Sequence, residues 1–279
     1  MQIPDIAELR RLCQRGAANP FWLSRNVMAW PSIYLTRLAL LLGVTANTVT
    51  MVSVLSSVVG SLGFLSTDPR VRLAGCALIL WGYLLDLVDG EVARFRTGRG
   101  TLDASGMFAD YVGHVLHNPL LFVCWSVGVY LVTGASVALW LTPLLLMGAQ
   151  AAPLLAKQVI LVDLLRRGVL DSSSPEFIRV AIDKPGEQGL SDALGGDIVE
   201  RPGLRAALSQ VFGYPGPLVI LPAITIIADY ILPTQRMKLL VGCQMVFAVV
   251  YAINLPRTLR RNFLYLRELR WLHKPVQKV

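Results

Sequence analysis

Six apolar runs, at 47–65, 73–85, 119–132, 135–156, 215–232 and 239–255, divide this chain of 279 residues and leave little sequence for a water-soluble core. With their flanking turns, several of them reach about 20 residues, the length at which an α-helix crosses hydrocarbon with all its backbone hydrogen bonds made internally. Composition agrees, with 54% hydrophobic residues, 16% charged residues and a mean hydropathy of +0.55. The expected fold is an all-α integral membrane protein with six transmembrane helices.

Charge gives this expected fold an orientation. The first thirty residues carry Arg10, Arg11, Arg15 and Arg25 without a continuous apolar stretch, unlike a cleavable signal peptide. With six spans, all of the 26 Lys and Arg residues except Arg70, Arg72, Arg236 and Lys238 fall on one side. By the positive-inside rule that side is cytoplasmic and holds both termini. The formal charge of +8 then belongs mainly to one membrane face, where it favours anionic headgroups and anionic substrates. No nucleic-acid motif accompanies it, and a bacterial inner (plasma) membrane is the expected location. Cys13, Cys76, Cys124 and Cys243 show no C-x-x-C pair and read as small core residues.

Three segments are expected. Residues 1–46 form a cytoplasmic N-terminal segment with an interfacial amphipathic helix over 31–43, opened by Pro31, interrupted by Arg37 and capped by Gly43. Residues 47–263 form the six-helix domain, including a cytoplasmic loop at 167–205 rich in Gly, Pro, Asp and Ser. Its glycines are not followed by G-K-[ST], so a connector is expected there and not a phosphate-binding loop. Residues 264–279 form a basic cytoplasmic tail.

Acidic residues interrupt this apolar pattern where they are most costly. The second span ends in D-L-V-D-G-E-V-A-R at 86–94, and the third begins with G-M-F-A-D-Y-V-G-H at 106–114. Carboxylates beside apolar helix need a cation or partner to offset desolvation. On a helical wheel Asp89, Gly90 and Ala93 fall about −60°, +40° and −20° from Asp86, so two carboxylates and two small residues share one face with Arg94 at its edge. Gly106, Asp110, His114 and His117 repeat the arrangement on the next helix. Each of these residues taken singly has an ordinary structural reading: a snorkelling helix-end charge, a positive-inside anchor, a packed histidine. Together, at one membrane face, they describe a metal–phosphate pocket in which carboxylates supply hard oxygen ligands and arginine holds phosphate.

This segment resembles the signature of the CDP-alcohol phosphotransferases, D-x-x-D-G-x-x-A-R, a spacer, then G-x-x-x-D-x-x-x-D. Asp86, Asp89, Gly90, Ala93, Arg94, Gly106 and Asp110 match it. The stretch S-I-Y-L-T-R-L-A-L-L-L-G-V-T-A-N-T-V-T also resembles the family's approach to its first span, with Ala46 where proline is usual, and the likeness extends over about residues 25–265. Two departures stand out: the spacer between Arg94 and Gly106 is longer than usual, and His114 replaces the last aspartate.

The resemblance implies a transferase of substituted phosphate groups, in which an acceptor hydroxyl attacks the β-phosphorus of a CDP-alcohol, CDP-diacylglycerol by preference, and CMP leaves. Asp86, Asp89 and Asp110, with His114 as a possible further ligand, would bind one or two Mg²⁺ or Mn²⁺ ions. Gly90, Ala93 and Gly106 would admit the nucleotide beside Asp86 and Arg94, and His114 would take the acceptor proton beside Asp110. The lost carboxylate favours an anionic acceptor, and a homodimer among membrane lipids is expected. Two other readings compete: a family member with altered or lost catalysis, motivated by His114, and a divalent-metal transporter, since Asp and His inside membrane helices also mark ion pathways.

Overall fold

The computed structural model describes residues 3–14, 22–97, 104–150, 211–212 and 215–268; within these, the side chains of 97, 104–111, 149–150, 258 and 261–268 are not described. The expected loop at 167–205 and most of the basic tail lie outside the described residues. Every extended regular element among the described residues is helical. They are α1 (Ile6–Cys13), α2 (Ala29–Leu41) entered through a π-helical turn at Ser24–Met28, α3 (Ala46–Gly63), α4 (Pro69–Thr97), α5 (Ala104–Thr133) and α6 (Val137–Gln150). After the undescribed segment come α7 (Gly216–Ile226), which widens into a π-helical turn at Ile227–Ile231, and α8 (Arg236–Glu268), preceded by a short 3₁₀ turn.

Four stretches are long and apolar enough to cross a membrane: Ala46–Gly63, Pro69–Arg96, Val112–Thr133 and Pro233–Arg257. Val137–Gly148 and Gly216–Ile231 are shorter apolar helices. The chain thus has the character of a helical membrane protein. Helix α8 continues to Glu268, past position 263 where the basic tail is expected to begin.

Local chemistry explains where these helices start and stop. The Thr45 hydroxyl accepts from the Thr48 amide at 3.1 Å and caps α3, and the Asp68 carboxylate accepts from the Arg70 amide at 2.8 Å just ahead of Pro69 in α4. Gly43 and Gly134, at φ +71° and +70°, provide the left-handed turns that end α2 and α5.

Helices α3 and α4 form an antiparallel hairpin with a seam of small residues. A Cβ on Gly60 would lie 2.7 Å from the Gly75 carbonyl oxygen, and one on Gly75 would lie 2.6 Å from that of Gly60, so the two backbones touch. Ser53 Oγ donates across the seam to the Gly82 carbonyl at 2.8 Å. Close backbone approach of this kind is how helices associate where no hydrophobic effect drives them together. Helix α5 lies parallel to α3, with Gly113 against Val54 and Gly128 against the Phe64 backbone. The main core gathers Phe122, Trp125, Phe247 and Tyr251 between α5 and α8, and Gly148 of α6 lies against Tyr251.

The N-terminal segment differs from the expected interfacial helix. Helix α2 starts at Ala29, ahead of Pro31, and its polarity is inverted: Ser32 and Thr36 are buried, while Trp30, Tyr34, Leu38 and Leu41 are exposed. An amphipathic pattern resides instead in α1, which buries Leu9 and Cys13 against Ile33, Val88, Val92 and Phe95 and leaves Glu8 and Arg11 outward.

Candidate functional site

The C-terminal third of α4 faces three neighbours at once. On one side Asp86 meets α5, its Oδ1 lying 3.6 Å from His114 Nε2, with about a fifth of each side chain open (20% and 24%). Asp89, one turn further, is buried at 7% exposure and accepts a 2.6 Å hydrogen bond from Thr50 Oγ1 near the start of α3. That bond is short because a hydroxyl donates to a charged acceptor. The wheel that grouped Asp86 with Asp89 therefore corresponds to a face turned toward α3 and α5.

Glu91 falls about 140° from Asp86 on the same wheel and faces the other way. It is buried at 3% exposure, and its Oε1 accepts from Ser32 Oγ at 2.7 Å and from Gln14 Nε2 at 3.0 Å. Its Oε2 accepts from Thr36 Oγ1 at 2.6 Å. One carboxylate thus ties both N-terminal helices to α4. Arg94 adds to the tie, since its Nε donates to the Cys13 carbonyl and its Nη1 would lie 3.1 Å from a Cβ on Gly90. Gly90 accordingly leaves room for a guanidinium group. Arg96 secures the turn between α2 and α3 by donating to the Val44 carbonyl at 2.8 Å. Between Glu91 and Arg94, the Cys13 thiol is pushed up to about 11, by burial first and by the Glu91 charge second, with Arg94 opposing.

A narrow crevice opens beside the Asp86–His114 pair. Ser53, Ser57, Tyr83 and His117 line it, with Gly82 and Gly113 at its walls and Leu218 of α7 closing one side. The Tyr83 hydroxyl bonds that of Ser24. His117 is buried at 4% exposure, its ring centre stands 6.4 Å from that of His114, and its Nε2 has no hydrogen-bond partner among the described residues.

Of the residues singled out from the sequence, Asp86, Asp89 and His114 gather where α3, α4 and α5 meet, Arg94 packs over Gly90 and reaches α1 at the Cys13 carbonyl, and Ala93 is exposed on the surface of α4. Gly106 and Asp110 belong to the first turns of α5, but their side chains lie outside the described residues. Among the described residues no three His, Cys, Asp or Glu side chains converge closely enough to hold a metal ion. The described carboxylate oxygens suit a hard cation such as Mg²⁺ or Mn²⁺, whereas an imidazole nitrogen is a ligand better matched to softer metals.

Sequence reasoning missed Glu91, Thr50, Ser32 and Thr36. A signal for two of them existed: Ser32 and Thr36 are four residues apart in an apolar helix and so share one face, which announces a polar partner inside the protein. Compared with protein-family models and with curated proteins, the chain matches none.

Proposed function

We propose that this chain is a membrane-embedded, metal-dependent phosphotransferase that transfers a phosphate-linked group from a CDP-alcohol, with CDP-diacylglycerol favoured, to an acceptor hydroxyl and releases CMP. The observation that carries the reading is the meeting of two acidic side chains of α4 with an imidazole of α5 at one end of the helical bundle, Asp86 lying 3.6 Å from His114 and Asp89 bound to Thr50. The resemblance of 86–94 and 106–114 to the CDP-alcohol phosphotransferases supplies the chemistry. In this reading the two shorter apolar helices also cross the membrane, giving six spans with the site and both termini cytoplasmic.

His114 takes the proton of the acceptor hydroxyl as its oxygen bonds to the β-phosphorus, while the bond from that phosphorus to the CMP oxygen breaks. Asp86 steadies the imidazolium so formed, as a carboxylate beside a histidine base does. Thr50 holds the Asp89 carboxylate in a fixed orientation. Asp86, Asp89 and Asp110 would hold Mg²⁺ or Mn²⁺, which when bound neutralises charge on the diphosphate. Arg94, whose Nε donates to the Cys13 carbonyl, would meet phosphate through its guanidinium. Ala93 and Gly106 would leave space for the nucleotide, while Gly90 gives its space to the Arg94 guanidinium.

Histidine in place of a carboxylate removes one negative charge, which favours an anionic acceptor. The test is CMP release by purified protein from CDP-diacylglycerol, and from soluble CDP-alcohols, with Mg²⁺ or Mn²⁺ and a panel of alcohols. No CMP from any combination overturns the reading. If phosphotransfer occurs, His114→Asp is expected to move the preference toward neutral acceptors.

A further inference from the structure

Charge is out of balance at the end of the bundle away from the candidate site. The four basic residues expected on that side, Arg70, Arg72, Arg236 and Lys238, all belong to the first turns of α4 and α8, with two carboxylates, Asp68 and Asp229, beside them. A single carboxylate serves two guanidinium groups: Asp229, whose side chain is 0% exposed, has Arg72 Nε at 2.7 Å and Arg236 Nε at 3.1 Å from its two oxygens. Arg72 is nearly as deeply buried, and its Nη2 has no hydrogen-bond partner among the described residues. Asp229 is thus fully answered, and one positive charge is left over in a buried setting, where it needs a counter-anion. Arg236 is where an anion can reach it, since 30% of its side chain is open.

We infer that Arg236, backed by Arg72, forms an anion site for the phosphate group of an anionic phospholipid, at the end of α4 opposite to Asp86 and Asp89. The surroundings select the source of that phosphate. Val71 and Leu73 beside Arg72, Tyr230 and Ile231 beside Asp229, and Met237 beside Arg236 are 41–64% exposed, so the arginines are set in an apolar perimeter of helices long enough to cross a membrane. A tyrosine at such a place suits the level of the headgroups. A lipid brings its phosphate along this perimeter together with acyl chains that cover the apolar side chains; a free ion leaves them bare. The guanidinium fork takes two phosphate oxygens at once. A zwitterionic headgroup carries its own cation and so offsets the excess charge less well than an anionic one. Arg72 precedes Asp86 by 14 residues, about 21 Å of helix, so the site is separate from phosphotransfer and stands without it.

The experiment follows thermal unfolding of the full chain in dodecyl maltoside with added phosphatidylglycerol, phosphatidylcholine or inorganic phosphate at matched ionic strength. Phosphatidylglycerol at saturation is expected to raise the Tm of the wild type by about 5 °C, and phosphatidylcholine by about 1 °C or less. In Arg236→Gln, which leaves Arg72 on Asp229, the extra gain from phosphatidylglycerol should vanish. Arg236→Lys, a point charge without the fork, should recover part of it. Arg11→Gln, on the exposed side of α1 at the other end, should keep the gain in full, which separates this site from general attraction of anionic lipid to the basic face. Equal gains from phosphatidylglycerol and phosphatidylcholine in the wild type overturn the inference without any variant. So does an undiminished phosphatidylglycerol gain in folded Arg236→Gln, which would leave Arg72, Asp229 and Arg236 as a structural fastening alone. An equal gain from inorganic phosphate, also lost in Arg236→Gln, keeps the anion site but overturns the lipid as its source.

Discussion

The two ends of the helical bundle bury acidic groups in opposite ways. At the end away from the candidate site, Asp229 is fully buried and enclosed by arginines, with Arg72 Nε at 2.7 Å and Arg236 Nε at 3.1 Å from its two oxygens. Arg72 also donates to the Ser66 carbonyl at 2.8 Å, so α4, the turn before it and the end of α7 are locked together. At the site end, Glu91 is held by two hydroxyls and an amide, Asp89 accepts from a hydroxyl, and Asp86 faces an imidazole. Charge answered by charge makes a closed fastening; charge answered by neutral dipoles keeps negative potential where a cationic ligand can use it.

The sharpest test of this contrast separates activity from stability. Asp89→Asn keeps the shape and the Thr50 contact but removes a charge, and should lower CMP release by about a thousandfold while leaving the detergent-solubilised protein as heat-stable as the wild type. Activity within a few-fold of wild type would break the comparison at the site end. Arg72→Met is the mirror case, expected to cost about 3 kcal/mol in stability by stripping one partner from a buried carboxylate, with kcat of the surviving protein unchanged. Combined with Asp229→Leu, the loss should be smaller than the sum of the two single losses, as a thermal-unfolding cycle would reveal.

Glu91 should lie between these extremes. Replacing it by Leu takes from Thr36 the carboxylate it donates to and leaves Gln14 and Ser32 to share the Ala29 carbonyl, at about 1–3 kcal/mol, and should loosen α1 and α2 enough for trypsin to cut near Arg10 and Arg25 much faster. Glu91→Gln, which preserves most of the hydrogen bonds, should be cut at nearly the wild-type rate. The smallest effect concerns Cys13. With its thiol raised to about 11, the thiolate is scarce at neutral pH, and maleimide labelling should be slow and still accelerating at pH 9. Removing the Glu91 charge lowers that value, so the Gln variant should label modestly faster at any given pH below it.

How much of this was legible beforehand follows from the range of the interactions. Helix positions along 46–133 follow from apolar runs and from Asp68-Pro69 and Gly134, all local signals. The grouping of Asp86 with Asp89 follows from helical geometry alone. By contrast, the bond from Gln14 to Glu91 and the pair Arg72–Asp229 join residues far apart in the chain, and nothing within either segment marks the other. Arg72 stands at the start of the second span and counts by charge as a residue of the far membrane side; only the fold brings Asp229 to it. The inverted polarity of α2 has one local sign, Ser32 and Thr36 on a single face; the rest of the helix is apolar nearly all round and adds no periodicity to orient it.

The fastening of the N-terminal helices to Glu91 also sets an order of assembly. Gln14 and Glu91 stand 77 positions apart, so α1 and α2 leave the ribosome well before their anchor has been made. They lack the carboxylate that anchors them until Glu91 of α4 has been made. Helices α1 and α2, although synthesised before α4, thus dock only after it. Nascent chains halted before position 91 should leave Arg10 and Arg25 open to protease, and chains extended past α4 should begin to shield them.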